Sequence, residues 1–413
     1  MADDRQNETW SMILERELRP AYYDRFHCLA ADCKLSCCIG WSIPFNKKDY
    51  LAMKHQHASP ELTERLGKAM RRIRDQERYG GQMYAEFDMS GGRCPLLRED
   101  SLCALQAEKG PGALPNVCKR FPRTSVYLAS GYLERSLTPA CEGVLGLLWD
   151  LPEGIEFLSD PLPREKQCKL KAEGYMPLLR HYGAIRELCI DFLQDRRFPL
   201  PRRIMLMGMA LKELADGETD VPGWLARSRR MVDAMAAGGT PEEPEQEKLL
   251  VMFLSNNIQT LTVIETEDPA LKEVKGEVMA GCGLAFTGSG AELDVAPYRA
   301  AQERFEERFV DRAYFFENLM VALLFHLSIP EPTSADGLWK SYVNFCNLYA
   351  FYRFMAVMSC REGAVGDKDE LFRMIIYASR GLIHSDARRT VLRDGLFQHG
   401  SATLAHMAVL LGG

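Results

Sequence analysis

Thirteen cysteines occur in the 413 residues, and eight of them, Cys28, Cys33, Cys37, Cys38, Cys94, Cys103, Cys118 and Cys141, crowd into the first third of the chain. Thiolate sulfur binds soft metals, and closely spaced thiols let one loop turn several ligands towards a common ion or cluster. The first group places Cys28, Cys33, Cys37 and Cys38 within eleven residues. In the second, Cys94-Pro95, Leu102-Cys103, Cys118 and Cys141 are spaced so widely that only folding can gather them. All eight are therefore candidate metal ligands. The remaining five, Cys168, Cys189, Cys282, Cys346 and Cys360, are scattered and read as small buried hydrophobes.

Disulfides are the competing use of so many cysteines. The N-terminus, MADDRQNETWSMILERELRP, carries acids and lacks the basic region and apolar run of a secretory signal, which points to the cytoplasm, where thiols stay reduced. Which metal the thiols would hold is left open by their spacing. Eight thiolates would close two tetrahedral zinc sites or hold one 4Fe-4S cluster with thiols to spare. The radical S-adenosylmethionine signature is not met: Cys33 and Cys37 have its first gap, but its third position is Gly40.

The elements that would position these residues divide the chain in two. Residues 1–142 form a cysteine-rich, metal-binding domain dominated by turns, with two helices expected, Lys47–His57 capped by Asn46 and Glu61–Tyr79. Residues 143–413 show apolar residues at helical spacing, as in Ile204, Leu206, Met207, Met209, Leu211 and Leu214, and predict an all-helical domain. Helices are expected near 171–194, 223–236, 244–264, 298–309, 311–328, 336–361, 368–384 and 387–412. The fold class is mainly α. The longest apolar stretch, Leu319 to Ile329, contains His326 and falls short of the about 20 residues that span a bilayer. A net charge of -6 argues against nucleic acid as a partner.

In ordered blocks the chain resembles the flagellin lysine-N-methylase family and, over its cysteines, the zinc- or iron-chelating CxxCC proteins. Tyr22-Tyr23, Phe26, Cys28, Cys33, Cys37-Cys38, Gly40 and Trp41 look like the family's opening. Cys94-Pro95-Leu96-Leu97, Leu102-Cys103 and Cys118 to Phe121-Pro122-Arg123 look like its middle. Later blocks are Glu134 with Ser136-Leu137-Thr138, Glu317-Asn318, Ser379-Arg380, Ile383-His384-Ser385 and Thr403-Leu404-Ala405. The chain departs at Pro139-Ala140-Cys141-Glu142, where no proline follows the cysteine, and at Phe325-His326-Leu327, which replaces an aromatic-proline pair. The resemblance, over nearly the whole chain, implies methyl transfer from S-adenosylmethionine to flagellin lysines with a four-iron cluster. The alternative is a non-catalytic adaptor or redox sensor stapled by zinc or a cluster. An electron-transfer enzyme would need a flavin or nicotinamide site, and none is recognisable.

Methylating lysine requires a neutral amine, whose ordinary pKa is about 10.4, so a site must desolvate the ammonium or supply a base. His384 is a candidate base by its setting, against the alternative of a hydrogen-bonded histidine at a helix end. Glu317 and Asn318 are explained as well by capping or solvation. Tyr22, Tyr23 and Trp41 read as a small core behind the cysteines sooner than as a pocket. Arg71, Arg72, Arg74 and Arg78 read as a solvated helix face, and Lys119, Arg120 and Arg123 could offset the charge of bound thiolates. Gly281-Cys282-Gly283 offers a weak echo of a nucleotide-binding turn, without its third glycine.

Overall fold

The computed structural model describes residues 8–75, 81–128, 131–174, 176–238, 247–266, 269–287, 290–331 and 334–412. The chain opens with strands β1 (Glu8–Leu14) and β2 (Arg16–Pro20), and a 3-10 turn over Ala21–Arg25 then buries Tyr22 and Tyr23. After β3 (Pro44–Phe45), helix α1 (Lys47–Lys54) is capped as expected, the Asn46 side-chain oxygen accepting the Asp49 amide at 2.9 Å. In α2 (Pro60–Ala69) Ser59 caps the first turn and Pro60 brings a φ already suited to helix. The helix was expected to continue to Tyr79. It ends at Ala69 because the chain passes into β4 (Met70–Arg72), which pairs with β5 (Ala85–Phe87), and this pairing outweighs local helix propensity. Residues 76–80, the end of that expected helix, lie outside the described residues.

Two short helices not anticipated from the sequence, α3 (Ala104–Lys109) and α4 (Asn116–Arg120), carry the chain past Cys103 and Cys118. Strands β6 (Arg123–Tyr127) and β7 (Tyr132–Leu137) and helix α5 (Glu142–Trp149) follow. Next come β8 (Phe157–Pro161) and β9 (Cys168–Gly174), where no strand was expected. β9 pairs with β1, and β8 forms the edge of a four-stranded sheet ordered β6-β7-β2-β8, in which only β2 and β7 run parallel. Strand pairing thus runs across residue 142.

The remainder is mainly helical: α6 (Met176–Arg180), α7 (Tyr182–Gln194), α8 (Leu200–Ala215), α9 (Val221–Ala237), α10 (Glu247–Val263) and α11 (Pro269–Gly281). A hairpin of β10 (Leu284–Thr287) and β11 (Gly290–Leu293) interrupts them. Then follow α12 (Ala296–Arg308), α13 (Ala313–His326), α14 (Ala335–Met358), α15 (Lys368–Leu382), α16 (Asp386–Gln398) and α17 (Leu404–Leu411). The all-helical expectation for 143–413 is therefore corrected by β8 to β11. Short strands that pair with distant segments leave little periodicity in a local window. Among the described residues, no helix is long and apolar enough to cross a membrane.

Among the described residues two main hydrophobic cores result, beside a minor cluster of Leu14, Leu133 and Leu162. The large one is centred on α14, apolar on all sides, and takes in Tyr22, Tyr23 and Phe26 from the N-terminal segment. The small one joins Ile43, Phe45, Met53, Leu62, Leu66 and Phe87 inside the cysteine-rich part. Their seam is where the thiols meet.

Candidate functional site

All eight clustered cysteines line one cavity of about 270 Å3 between the two cores. Cys38, Cys94, Cys103 and Cys118 belong to the small-core side, Cys141 packs on the large core, and Cys28, Cys33 and Cys37 sit on the loop that joins them. Backbone pairing sets this up. The Cys94 amide donates to the Cys38 carbonyl at 2.7 Å, and a tight hairpin brings Cys103 back beside Leu97. At Gly40 the backbone takes a φ of +81°, and a Cβ there would stand 2.6 Å from Leu271 Cδ1, so only glycine lets the loop close against α11.

Two charged side chains hold the cysteine loop from opposite sides. Arg380 of α15 donates to the carbonyls of Leu35 (2.7 Å), Ser36 (2.9 Å) and Ile39 (3.1 Å). The Glu142 carboxylate, at the start of α5, accepts the Leu35 amide at 2.8 Å and the Cys33 thiol at 3.5 Å. Five donors on a planar fork suit Arg380 to clamp several carbonyls at once.

All the thiols are free. Burial pushes Cys33 and Cys94 up to about 12 and Cys141 up to about 11. Cys103 and Cys118 rise for the same reason. Cys38 is held down at about 7, chiefly by the thiol hydrogen bond from Cys37 and with help from Ser36, Arg380 and Arg93. Electrostatic proximity sorts the thiols: Cys118 faces Cys38, Cys94 and Cys103, whereas Cys33 faces Cys141 and Cys141 faces Cys28. Cys37 stands between the sets, donating to Cys38 and facing Cys141 and Cys118. This donor set suits a soft, thiolate-binding centre, whose positive charge would deprotonate thiols that burial otherwise keeps neutral. Among the described residues, no three His, Cys, Asp or Glu side chains close on a point as the ligands of a single ion would.

Beside the thiol cavity opens a larger cleft of about 960 Å3, and Trp41 and Phe87 line both. The Trp41 indole donates to the Cys37 carbonyl at 2.5 Å and stacks on His384, with ring centroids 5.4 Å apart. Phe121, of the Phe121-Pro122-Arg123 block, packs against Trp41 at 5.6 Å and against His384 at 6.4 Å. Three acids, Glu86, Asp88 and Glu265, line the cleft. Tyr377 of α15 also lines it: the residue is 1% exposed and its hydroxyl has no hydrogen-bond partner. A buried phenol without a partner, on the wall of a cleft, is an unused donor for whatever enters.

The residues singled out in the sequence fare differently. His384 stands exposed on the cleft wall, and the surrounding protein together with the Arg380 and Arg389 guanidiniums holds its pKa below the usual histidine value. It is a neutral ring and a weak base at pH 7. Tyr22 and Tyr23 are core residues, while Trp41 lines the site, so the three aromatics part company. Glu317 and Asn318 do not line the site. Glu317 is a buried ion-pair partner of Arg196 and Arg203, and Asn318 donates to the carbonyls of Leu148 and Leu151. Arg71 and Arg72 lie on β4, not on a helix, with Arg71 paired to Asp88, and Arg78 lies outside the described residues. Lys119 and Arg123 line the thiol cavity and Arg120 does not. Gly281-Cys282-Gly283 joins α11 to the β10–β11 hairpin, which corrects the nucleotide-turn reading: no strand leads into it and no helix leaves it. Tyr377 and Arg380 carry no sign of their roles beyond Arg380's place in a family block, because on an amphipathic helix both read as core-facing positions.

His326, part of the departure at Phe325-His326-Leu327, points its Nδ1 at Ser136 Oγ (3.0 Å) and Thr124 Oγ1 (3.2 Å). Burial, with help from His384 and Arg389, lowers its pKa to about 4. The unfolded chain, with histidine near 6.5, then binds more protons than the native state between these values, so stability falls as pH drops through that window. Unfolding midpoints in urea at pH 7 and pH 5 should differ by roughly 1–2 kcal/mol of stability from this residue, and His326→Gln should flatten the difference. An unchanged pH dependence in the variant would remove His326 as the cause.

No solved structure matches the chain at a significant level. Among curated proteins it is similar to the lysine-N-methylase of Salmonella typhimurium, 29% identical over 390 residues that cover 91% of this chain and 94% of that protein. The lysine-N-methylase of Salmonella choleraesuis is 28% identical over the same coverage. The flagellar biosynthetic protein FliU of Salmonella muenchen is 28% identical over 139 residues, 33% of this chain and 78% of that protein. The family model for the FliB lysine N-methylase C-terminal domain matches residues 186–410, the helical body that supplies Tyr377, Arg380 and His384 to the site. With more than half its length matched, the chain belongs to the FliB lysine N-methylase family.

Proposed function

We propose that the protein is a protein-lysine N-methyltransferase that moves a methyl group from S-adenosylmethionine to lysine side chains of flagellin, with a 4Fe-4S cluster on the clustered cysteines. Beyond family membership, the observation that carries this reading is the wall of Trp41 and Phe87 that the thiol cavity shares with the large cleft. Cys38, Cys94, Cys103 and Cys118, which face one another, would hold the cluster, with Cys28, Cys33, Cys37 and Cys141 ringing the rest of the cavity. Bound there, it would supply an electron-rich, redox-capable metal centre next to the cleft.

The chain's own residues would prepare the lysine. Glu86 and Glu265 offer carboxylates to the incoming ammonium, Asp88 being paired with Arg71, while Arg380 and Arg388 stand on the same wall. Against the apolar wall of Trp41 and Phe87 the charged form loses hydration, which lowers its pKa and favours the neutral amine. The Tyr377 hydroxyl, kept protonated by burial, offers the hydrogen bond that fixes the amine or the donor. As the nitrogen lone pair forms the new N–C bond, the S–C bond of the donor breaks with its electrons staying on sulfur. The amine proton leaves through the open cleft to water.

The test is protein purified without oxygen. Iron with inorganic sulfide, and methyl-lysine on flagellin incubated with S-adenosylmethionine, are the expected results. Cys94→Ser and Cys103→Ser should lose both iron and activity, whereas Cys28→Ser, on an exposed residue, should keep its iron. Tightly held zinc with no flagellin methylation would replace this reading by the non-catalytic adaptor.

A further inference from the structure

A second cavity, of about 650 Å3, lies among helices α8, α12, α13 and α14 and shares no lining residue with the thiol cavity or the cleft. Its volume is that of a small-molecule site. Trp149, Phe305, Phe309, Phe315, Phe316 and Tyr349 line it; Arg312 and Lys368 lie over the Trp149 ring, Arg353 over the Phe305 ring, and Phe372 stacks on Phe315. Trp149 meets Phe309 and Phe315 edge-on, and the first four of these rings are at most 9% exposed. Phe309, Phe316 and Tyr349 remain as the aromatic lining open to a planar ring.

The polar groups around this lining are strongly positive. Arg202, Arg312 and Arg353 line the cavity against one carboxylate, Glu306, which is paired with Arg353 at 2.8 Å. The Arg202 Nε is buried and has no hydrogen-bond partner. Two helices also start at the cavity. α8 begins at Leu200 and α13 at Ala313, and neither has a side-chain cap or an acid in its first turn. Pro201 has no amide, so α8 offers the amides of Leu200 and Arg202 with the positive end of its dipole, while α13 follows directly on the 3-10 turn Val310–Arg312. Aromatic lining, the unpartnered Nε of Arg202 and the start of α8 point to one ligand chemistry.

We propose that this cavity binds a nucleotide-sized anion carrying a planar aromatic ring, the ring against Phe309, Phe316 and Tyr349 and the anionic group on Arg202 and the start of α8. The site is independent of the proposed methyl transfer.

Calorimetric titration of the full-length protein with adenosine monophosphate tests it, with adenosine supplying the ring alone and inorganic phosphate the anion alone. Saturable binding of the monophosphate is expected, with adenosine at least about ten-fold weaker, as loss of a charge-assisted contact implies, and no saturable binding of phosphate. Arg202→Gln removes a donor that has no partner in the fold and should bring the monophosphate down to the adenosine level. Gln302→Trp, which fills the cavity from α12, should abolish binding while the unfolding midpoint stays unchanged. Absence of monophosphate binding at millimolar concentration, equal binding of adenosine, or binding indifferent to both substitutions would overturn the proposal.

Discussion

Replacing Arg380 by alanine is expected to open the cysteine loop and, with it, the seam between the two cores. The guanidinium is 7% exposed and serves three carbonyls, those of Leu35, Ser36 and Ile39. Truncation leaves acceptors in a closed site without partners; each charge-assisted bond is worth about 1.5–3 kcal/mol, and because the three share one guanidinium and do not add in full, a local destabilisation of roughly 3–5 kcal/mol follows. Since Cys33, Cys37 and Cys38 lie on or beside this loop, the measurable result is faster thiol labelling at these three positions, by about a hundred-fold for the lower figure. Lysine at 380 should restore little, because an ammonium cannot reproduce the planar fork. Arg388→Ala, on the same cleft wall but bonded to Gly381 and Glu265 carbonyls, is the control that should leave labelling unchanged. Unaltered labelling in Arg380→Ala would mean that Glu142 alone holds the loop.

Glu317→Ala should produce the largest loss of global stability. The carboxylate is 3% exposed and is shared between Arg196, at 3.0 Å, and Arg203, at 2.6 Å. Arg203 is itself buried and also donates to the carbonyls of Leu193 and Phe198. Removing the carboxylate strands a buried positive charge, a change that typically costs about 3–5 kcal/mol. Urea unfolding measures it. Metal content per folded molecule separates a scaffold role from a role at the site: it should stay unchanged in Glu317→Ala. Metal lost from a still-folded variant would return Glu317 to the list of site residues.

Much of the candidate site was legible as residue type. Cysteines so dense in the first third of the chain announce themselves because their number and spacing are read directly from the residues. Apolar periodicity marked most of the long helices, since a helix that buries one face must repeat it every three to four residues. Boundaries were less legible: the stretch expected to be helix from 171 is β9 up to Gly174, because its strand partner β1 lies at the far end of the chain.

What the sequence determined by itself is the clustered set of thiols and the helical character of the body, both properties of local composition and spacing. Only the tertiary structure decided where these meet. It brought eight thiols from five separate segments around one cavity, set Trp41 between that cavity and the cleft, and carried Arg380 from near the C-terminus to the carbonyls at 35, 36 and 39. It also turned Glu317 from a possible catalyst into an ion-pair partner and left the Tyr377 hydroxyl unpartnered on the cleft wall. The reason is physical. A side chain's chemistry depends on its burial and on its neighbours, and those neighbours come from packing between segments hundreds of residues apart, which no local pattern encodes.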